Sequence, residues 1–283
     1  MYDEGYLNYN DNYGDQIYNN NGYFNNQDPN MNNNLNNCYC YKSYFRILNA
    51  ITDAPALDVY ANEMLIASNL KYGEFSRYMK FMPGNYTVTV YPSGNQTSAI
   101  IETNITIDRN LAYTGALSGD LLDTVNLSIY IIPEAKETNN MERMAAVKFI
   151  DLSPVGPPLK LIADDGPILF SDIEYGDVTE NVAMPAGTYT LHLRASDSDK
   201  NILTAPNIDF APRMHYTLFV IGKYGATPRL ELLIPEDGLN YLDLCWFMLI
   251  YEMMTRTSIN YCLFLFFVCP NPAFPTVGRE KQR

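Results

Sequence analysis

The sequence MPGNYTVTVYP, residues 82–92, returns in altered form as MPAGTYTLHLR, residues 184–194. In the first stretch Tyr86, Val88 and Val90 fall on one side of an extended chain, while Thr87, Thr89 and Tyr91 fall on the other. In the second, Tyr189, Leu191 and Leu193 oppose Thr190, His192 and Arg194. Alternation with period two marks a strand buried on one face. Each stretch opens with a Pro turn, in which Pro fixes its own φ and Gly accepts a left-handed backbone. Both halves of the chain therefore carry the same strand, entered by the same kind of turn.

The likeness extends outward from there. Residues 45–73, FRILNAITDAPALDVYANEMLIASNLKYG, answer residues 147–176, VKFIDLSPVGPPLKLIADDGPILFSDIEYG. Tyr72-Gly73 matches Tyr175-Gly176, Pro83 matches Pro185, Tyr113 matches Tyr216, Gly119 matches Gly222 and Pro133 matches Pro235, at a constant spacing of about 102 to 103 residues. That period is the size of one domain. About seven short strands per copy, separated by Gly, Pro, Asn and Asp turns, predict an all-β chain of two tandem antiparallel sandwiches of immunoglobulin-like kind. The predicted limits are 44–135 and 145–238. A linker at 136–144 joins them and, being short, is expected to set the domains end to end.

The flanks have other compositions. Residues 1–43 are dominated by Asn and Tyr, with acidic Asp3, Glu4, Asp11, Asp15 and Asp28 and no Lys or Arg before Lys42, which predicts a disordered arm. No basic start followed by an apolar run occurs in the first thirty residues, so no secretory signal is expected. Residues 239–283 form a hydrophobic tail. Three readings of it stay open: a membrane anchor, a partly buried appendage and an aberrant reading-frame extension. Glu252 and Arg256 weigh against the anchor, because each costs a few kcal/mol in hydrocarbon.

The chain of 283 residues has a formal net charge of -13, which repels phosphate backbones and argues against nucleic acid as a partner. The five cysteines all lie outside the repeats. Cys38 and Cys40 are candidates for crosslinks between chains; a metal site there lacks further ligands nearby, and no metal or other cofactor is expected. His192 and His215, the only histidines, are read as surface residues, and with no base beside a Ser or Cys no catalytic residue is assigned. No Gly-rich phosphate loop, HExxH or paired CxxC occurs. The Asn-x-Thr/Ser triplets at Asn85, Asn95, Asn104 and Asn126 are read as sheet surface. Asp53 and Asp58 flank a loop at a strand end, where turn roles compete with a calcium or ligand role. Tyr60, Tyr78 and Tyr91 are the aromatic candidates for a carbohydrate or other ligand.

Asp53-Ala-Pro55, Asp58-Val-Tyr60, Tyr72-Gly73 and Pro83-Gly84 with Tyr86 resemble the pattern of a bacterial family known only as domain of unknown function 4397. The second copy keeps Tyr175-Gly176 and the Pro185 to Tyr189 turn but lacks the Asp-Ala-Pro and Asp-Val-Tyr elements. The resemblance covers about residues 44–237. It implies a repeated β-sandwich module of bacterial surfaces and no catalytic residue. The resulting expectation is a non-enzymatic structural or interaction protein of a surface layer, a spore coat or exosporium for a chain without export signal. Its partners would be other coat proteins or further copies of itself. A carbohydrate- or ligand-binding module is the alternative, an enzyme using carboxylates the third reading, and the cytoplasm the alternative location.

Overall fold

A computed structural model describes residues 42–122, 127–134, 141–164, 166–242 and 244. The expectations for the arm, for most of the tail and for all five cysteines fall outside them. The first copy supplies β1 (Ser43–Thr52), β2 (Leu57–Ala61), β3 (Met64–Leu70), β4 (Met79–Phe81), β5 (Gly84–Pro92), β6 (Ile101–Ile107), β7 (Ala112–Asp120) and β8 (Ser128–Pro133). The second supplies β9 (Met144–Asp151), β10 (Leu159–Ala163), β11 (Ile168–Ile173), β12 (Val182–Pro185), β13 (Gly187–Ala195), β14 (Asn201–Phe210), β15 (His215–Ile221) and β16 (Glu231–Leu233). Each copy thus has eight strands instead of about seven. The additional ones are the short β4 and β12, too brief to show a period.

Each copy is a sandwich of two four-stranded sheets, ordered β3-β2-β5-β6 and β4-β1-β7-β8 in the first, β11-β10-β13-β14 and β12-β9-β15-β16 in the second. One pairing in each departs from the antiparallel rule: β1 lies parallel to β7, and β9 to β15. Parallel neighbours need a long crossover, which β2 to β6 provide: β2, β3, β5 and β6 build the other sheet, and β4 returns to the edge of the first beside β1.

The copies are stacked face to face, not set end to end. All ten residues of β1 and all seven of β15 are buried. One side of β1 sends Phe45, Ile47 and Ile51 into its own sandwich core with Val59, Val88 and Leu117. The other side sends Leu48 and Ala50, with Ala116 and Ile132, against Ile150, Leu152, Phe219 and Ile221 of the second copy. Two sheets therefore lie inside a four-layer body, and strands covered on both faces lose their alternation. The outer strands keep it, as β5 does with Val88 and Val90 buried between half-exposed neighbours. The short linker had pointed to an end-to-end arrangement; apolar surface on the second face of β1, β7, β9 and β15 selects stacking instead.

The contact between copies is reciprocal. Arg46 Nη1 donates to the Glu236 carbonyl at 3.3 Å, and Lys148 Nζ, its repeat-mate, donates to the Pro133 carbonyl at 2.7 Å. The sequence aligns Pro133 with Pro235, but in the structure Pro133 pairs with Tyr113 as Glu236 pairs with Tyr216, which moves the match by one residue and makes the two carbonyls repeat-mates as well. Both matched Tyr-Gly turns also reach the other copy, though through different partners. Gly73 faces Ile221 and Phe75 packs edge-on to Phe219 at 5.7 Å; Gly176 lies under the Tyr130 ring, which meets Tyr175 at 6.0 Å. A Cβ on Gly176 would lie 2.7 Å from the Tyr130 hydroxyl, and its φ is +86°. Glycine is required there by both the turn and the close approach. Contacts of i to j and j to i are those of a two-fold dimer interface, here within one chain.

Candidate functional site

The five ligand candidates divide into three places. Asp58 and Tyr60 in β2 and Tyr91 in β5 share the outer face of the first sandwich, because Asp58 pairs with Tyr91 and Tyr60 with Thr89 across the strands. The Tyr60 and Tyr91 rings meet edge to face at 5.8 Å and 82°. Gln96 donates through its side-chain amide to the Tyr60 hydroxyl, which fixes that ring. Beside them is an open depression of about 470 Å³, lined by Asn62, Glu63, Thr87, Thr89, Tyr91 and Glu102.

Asp58 belongs to the frame of this face. Its carboxylate accepts from the Asn69 N–H at 2.8 Å, the Ser93 hydroxyl at 2.7 Å and the Gly94 N–H at 3.0 Å. These donors, led by Asn69, hold its pKa below the ordinary value against the opposing effect of burial. Asn69 and Gly94 have φ of +51° and +76°, so Asp58 ties the irregularity near the end of β3 to the turn after β5. In the second copy Lys160 occupies this place and donates to the Ser196 carbonyl at 3.2 Å, while Ser196 Oγ accepts from the Asp172 N–H at 3.1 Å. The same strand end and following turn are thus held by different chemistry in the two copies, which identifies a structural task. Asp58→Ala is expected to lower the unfolding free energy by about 1–3 kcal/mol in urea titration, as the turn N–H groups lose their acceptor.

Asp53 lies elsewhere, at the joint between the copies. With φ of +60° it follows β1 and forms an ion pair with Lys223, whose Nζ also lies 2.7 Å from Asp120. Asp120 first and Asp53 second raise the pKa of Lys223.

Tyr78 is at the opposite end of that joint, half-buried. Its hydroxyl donates to Glu134 and accepts from the Gly238 N–H at 3.1 Å, and its ring lies 4.6 Å under the Arg46 guanidinium. Burial, then Glu134, raises its pKa. Arg46 also sits 4.8 Å over the Phe75 ring, donates to Thr114 Oγ1 at 2.8 Å and lies 3.4 Å from Glu134. The Thr114 hydroxyl donates to Glu134 at 3.0 Å, and its repeat-mate Thr217 donates to Asp237 at 2.7 Å. Arg46, Glu134, Lys148 and Asp237 are all less than 7% exposed, so two positive and two negative charges are buried between the sheets. Burial pushes Glu134 up, reinforced by Asp237 and opposed by Arg46; burial pushes Lys148 down, opposed first by Asp237.

This buried quartet was not singled out from sequence. A usable signal was present: one cation at the same repeat position in each of the apolar strands FRIL and VKFI. Of the lining residues of the depression, only Tyr91 was foreseen.

His192 is half-exposed on the outer face of β13, where its Nδ1 meets Thr204 Oγ1 at 3.1 Å and Asn201 Nδ2 at 2.9 Å. His215 is not a surface residue. It is 4% exposed at the start of β15, a strand covered on both faces, with Asn240 bonded to its backbone N–H and carbonyl. Among the described residues no three His, Cys, Asp or Glu side chains gather as metal ligands, and no helix is long and apolar enough to cross a membrane.

Two overlapping segments, residues 43–161 and 145–241, match the family described as Domain of unknown function (DUF4397). No curated protein matches the chain. Among solved structures, similarity is found to CBMbc (family CBM26) from Eubacterium rectale Amy13K, in complex with maltoheptaose. The identity is 9%, over 69% of this chain and 96% of that one, with a TM-score of 0.22. The Bacillus anthracis TIE protein is 10% identical over 65% of this chain and 34% of its own, with a TM-score of 0.21. This chain therefore spans about a third of that protein. Neither likeness carries an argument about what this chain binds.

Proposed function

The chain belongs to the family of domain of unknown function 4397, and from that premise we propose that it is a non-enzymatic structural and interaction protein of a bacterial surface layer, the spore coat or exosporium. The observation behind this reading is the joint between the copies. Tandem modules that only needed to be present twice could hang on a flexible linker, with relative motion as the default. Here an apolar layer, reciprocal backbone contacts and a buried charge quartet weld them into one body. Among the described residues nothing packs over either outer sheet, so the body presents two separate faces. Residues 1–41, rich in Tyr and Asn and carrying Cys38 and Cys40, are the segment suited to joining such bodies to other coat proteins or to further copies of this chain.

Two measurements test the reading. Vegetative cells and purified spores are fractionated and probed for the chain on reducing and non-reducing gels. Recovery in the spore outer layer as high-mass species that fall apart on reduction is the expected result. A soluble monomer in vegetative cytoplasm would overturn it. Deleting residues 1–41 should abolish incorporation into the layer while leaving the two sandwiches folded; unchanged incorporation removes the arm from the account.

A further inference from the structure

We infer that the depression on the outer face of the first sandwich is a binding site for a neutral, hydroxyl-rich chain, a polysaccharide without acidic groups. This goes beyond the placement in a surface layer and does not depend on it.

The lining residues set the chemistry. Tyr91 supplies the single aromatic residue of the lining, and its orientation is fixed by the edge-to-face contact with Tyr60, whose own hydroxyl is held by Gln96. An immobilised, half-exposed ring is a platform for the C–H face of a sugar, with little entropy left to lose on binding. The rest of the lining is Thr87, Thr89, Asn62, Glu63 and Glu102. Asn62 uses its Oδ1 on the Thr87 N–H at 2.8 Å, and Thr87 uses its hydroxyl on Asn104 at 2.8 Å, so both are held in place while the Asn62 amide N–H groups stay available. Glu63 and Glu102 have no ion-pair partner among the described residues and offer acceptors to hydroxyl groups.

Charge narrows the class. No Lys or Arg lines the depression, and two carboxylates do, so phosphorylated, sulfated or uronate polymers would be repelled. The duplication provides an internal comparison. At the matching positions of the second outer face, Tyr60 is replaced by Ile162, Thr89 by His192 and Tyr91 by Arg194. Inner faces that must fit each other have kept their pattern, whereas this outer face has its own.

The test is electrophoresis of the full chain in native gels containing amylose, hydroxyethylcellulose or, as the anionic comparator, polygalacturonate. A fluorescent decalysine peptide is titrated in parallel to probe for a cationic protein partner. Slowing in at least one neutral polymer and none in polygalacturonate is expected. Tyr91→Ala should weaken that retention at least about tenfold, about 1.4 kcal/mol. Tyr91→Phe should keep it, and Arg194→Ala, at the matching place in the second copy, should leave it unchanged. The half-exposed position of Tyr91 leaves the core intact, and an unchanged melting profile of each variant checks this. No slowing in either neutral polymer, slowing that survives Tyr91→Ala, or binding of decalysine alone with loss on Glu102→Gln would each overturn the proposal.

Discussion

Replacing Arg46 by Ala is expected to lower the unfolding free energy by about 3–5 kcal/mol, the range for removing one partner of a buried ion pair. Arg46 is 5% exposed, and its guanidinium serves five neighbours: Glu134 at 3.4 Å, Thr114 at 2.8 Å, the Glu236 carbonyl at 3.3 Å and the rings of Phe75 and Tyr78. Its loss leaves Glu134 and Asp237 buried with Lys148 as the remaining cation and empties the space between two rings. Arg46→Lys should recover only part, since an ammonium cannot reproduce the planar fork that reaches Thr114 and Glu134 together. Pairing Arg46→Met with Glu134→Gln should cost less than the sum of the two single changes. The check is a double-mutant cycle in urea. Additive single effects would show that the two side chains do not act as a unit.

The second large effect has the opposite sign. Asp151 is 3% exposed at the end of β9, and burial pushes its carboxyl up to about 7, with the Ser153 N–H opposing and Asp177 adding. Its repeat-mate is Asn49, whose Oδ1 accepts from the Ile51 N–H at 3.1 Å as Asp151 accepts from Ser153 at 2.8 Å, and whose Nδ2 donates to the Leu70 carbonyl at 3.0 Å. An ionised aspartate can copy the first bond and not the second. Between the unfolded pKa near 3.8 and the folded value near 7, the folded state holds the extra proton. Stability from this group is therefore fully present below about pH 4, falls as pH rises to about 7 and is level above. Asp151→Asn should abolish that slope and raise stability at pH 8 by up to about 4 kcal/mol. Urea titrations of both proteins at pH 5 and pH 8 measure it. Parallel curves at the two pH values would place the pH response in another group.

The strands were legible in the sequence wherever one face meets water. β5 and β13 alternate because Val88, Val90, Leu191 and Leu193 point inward and Thr or charged residues point out. β1 and β7 also read as strands, but their second apolar face, Leu48, Ala50 and Ala116, has a meaning only when the other copy is set against it. Linker length alone pointed to an end-to-end arrangement, and periodicity contains no information about which face of one sheet meets which face of another. The site shows the same division. Tyr60 and Tyr91 could be placed together from strand pairing, whereas Tyr78, equally tyrosine-rich in its neighbourhood, is drawn into the joint by Arg46 and Glu134. Asp58, for which a turn role and a ligand role competed in the sequence, ties β3 to the turn after β5.

Because the contacts between the copies are reciprocal, nothing in the joint itself records whether its two halves come from one chain or from two. The surface that receives the second sandwich through Ile132 and Ala116 would receive the same sandwich from a neighbouring molecule equally well. What favours closure within a chain is the tether alone, which holds the halves at an effective concentration in the millimolar range. At millimolar chain concentrations that advantage disappears, and domain swapping becomes a route by which identical chains link without a new interface.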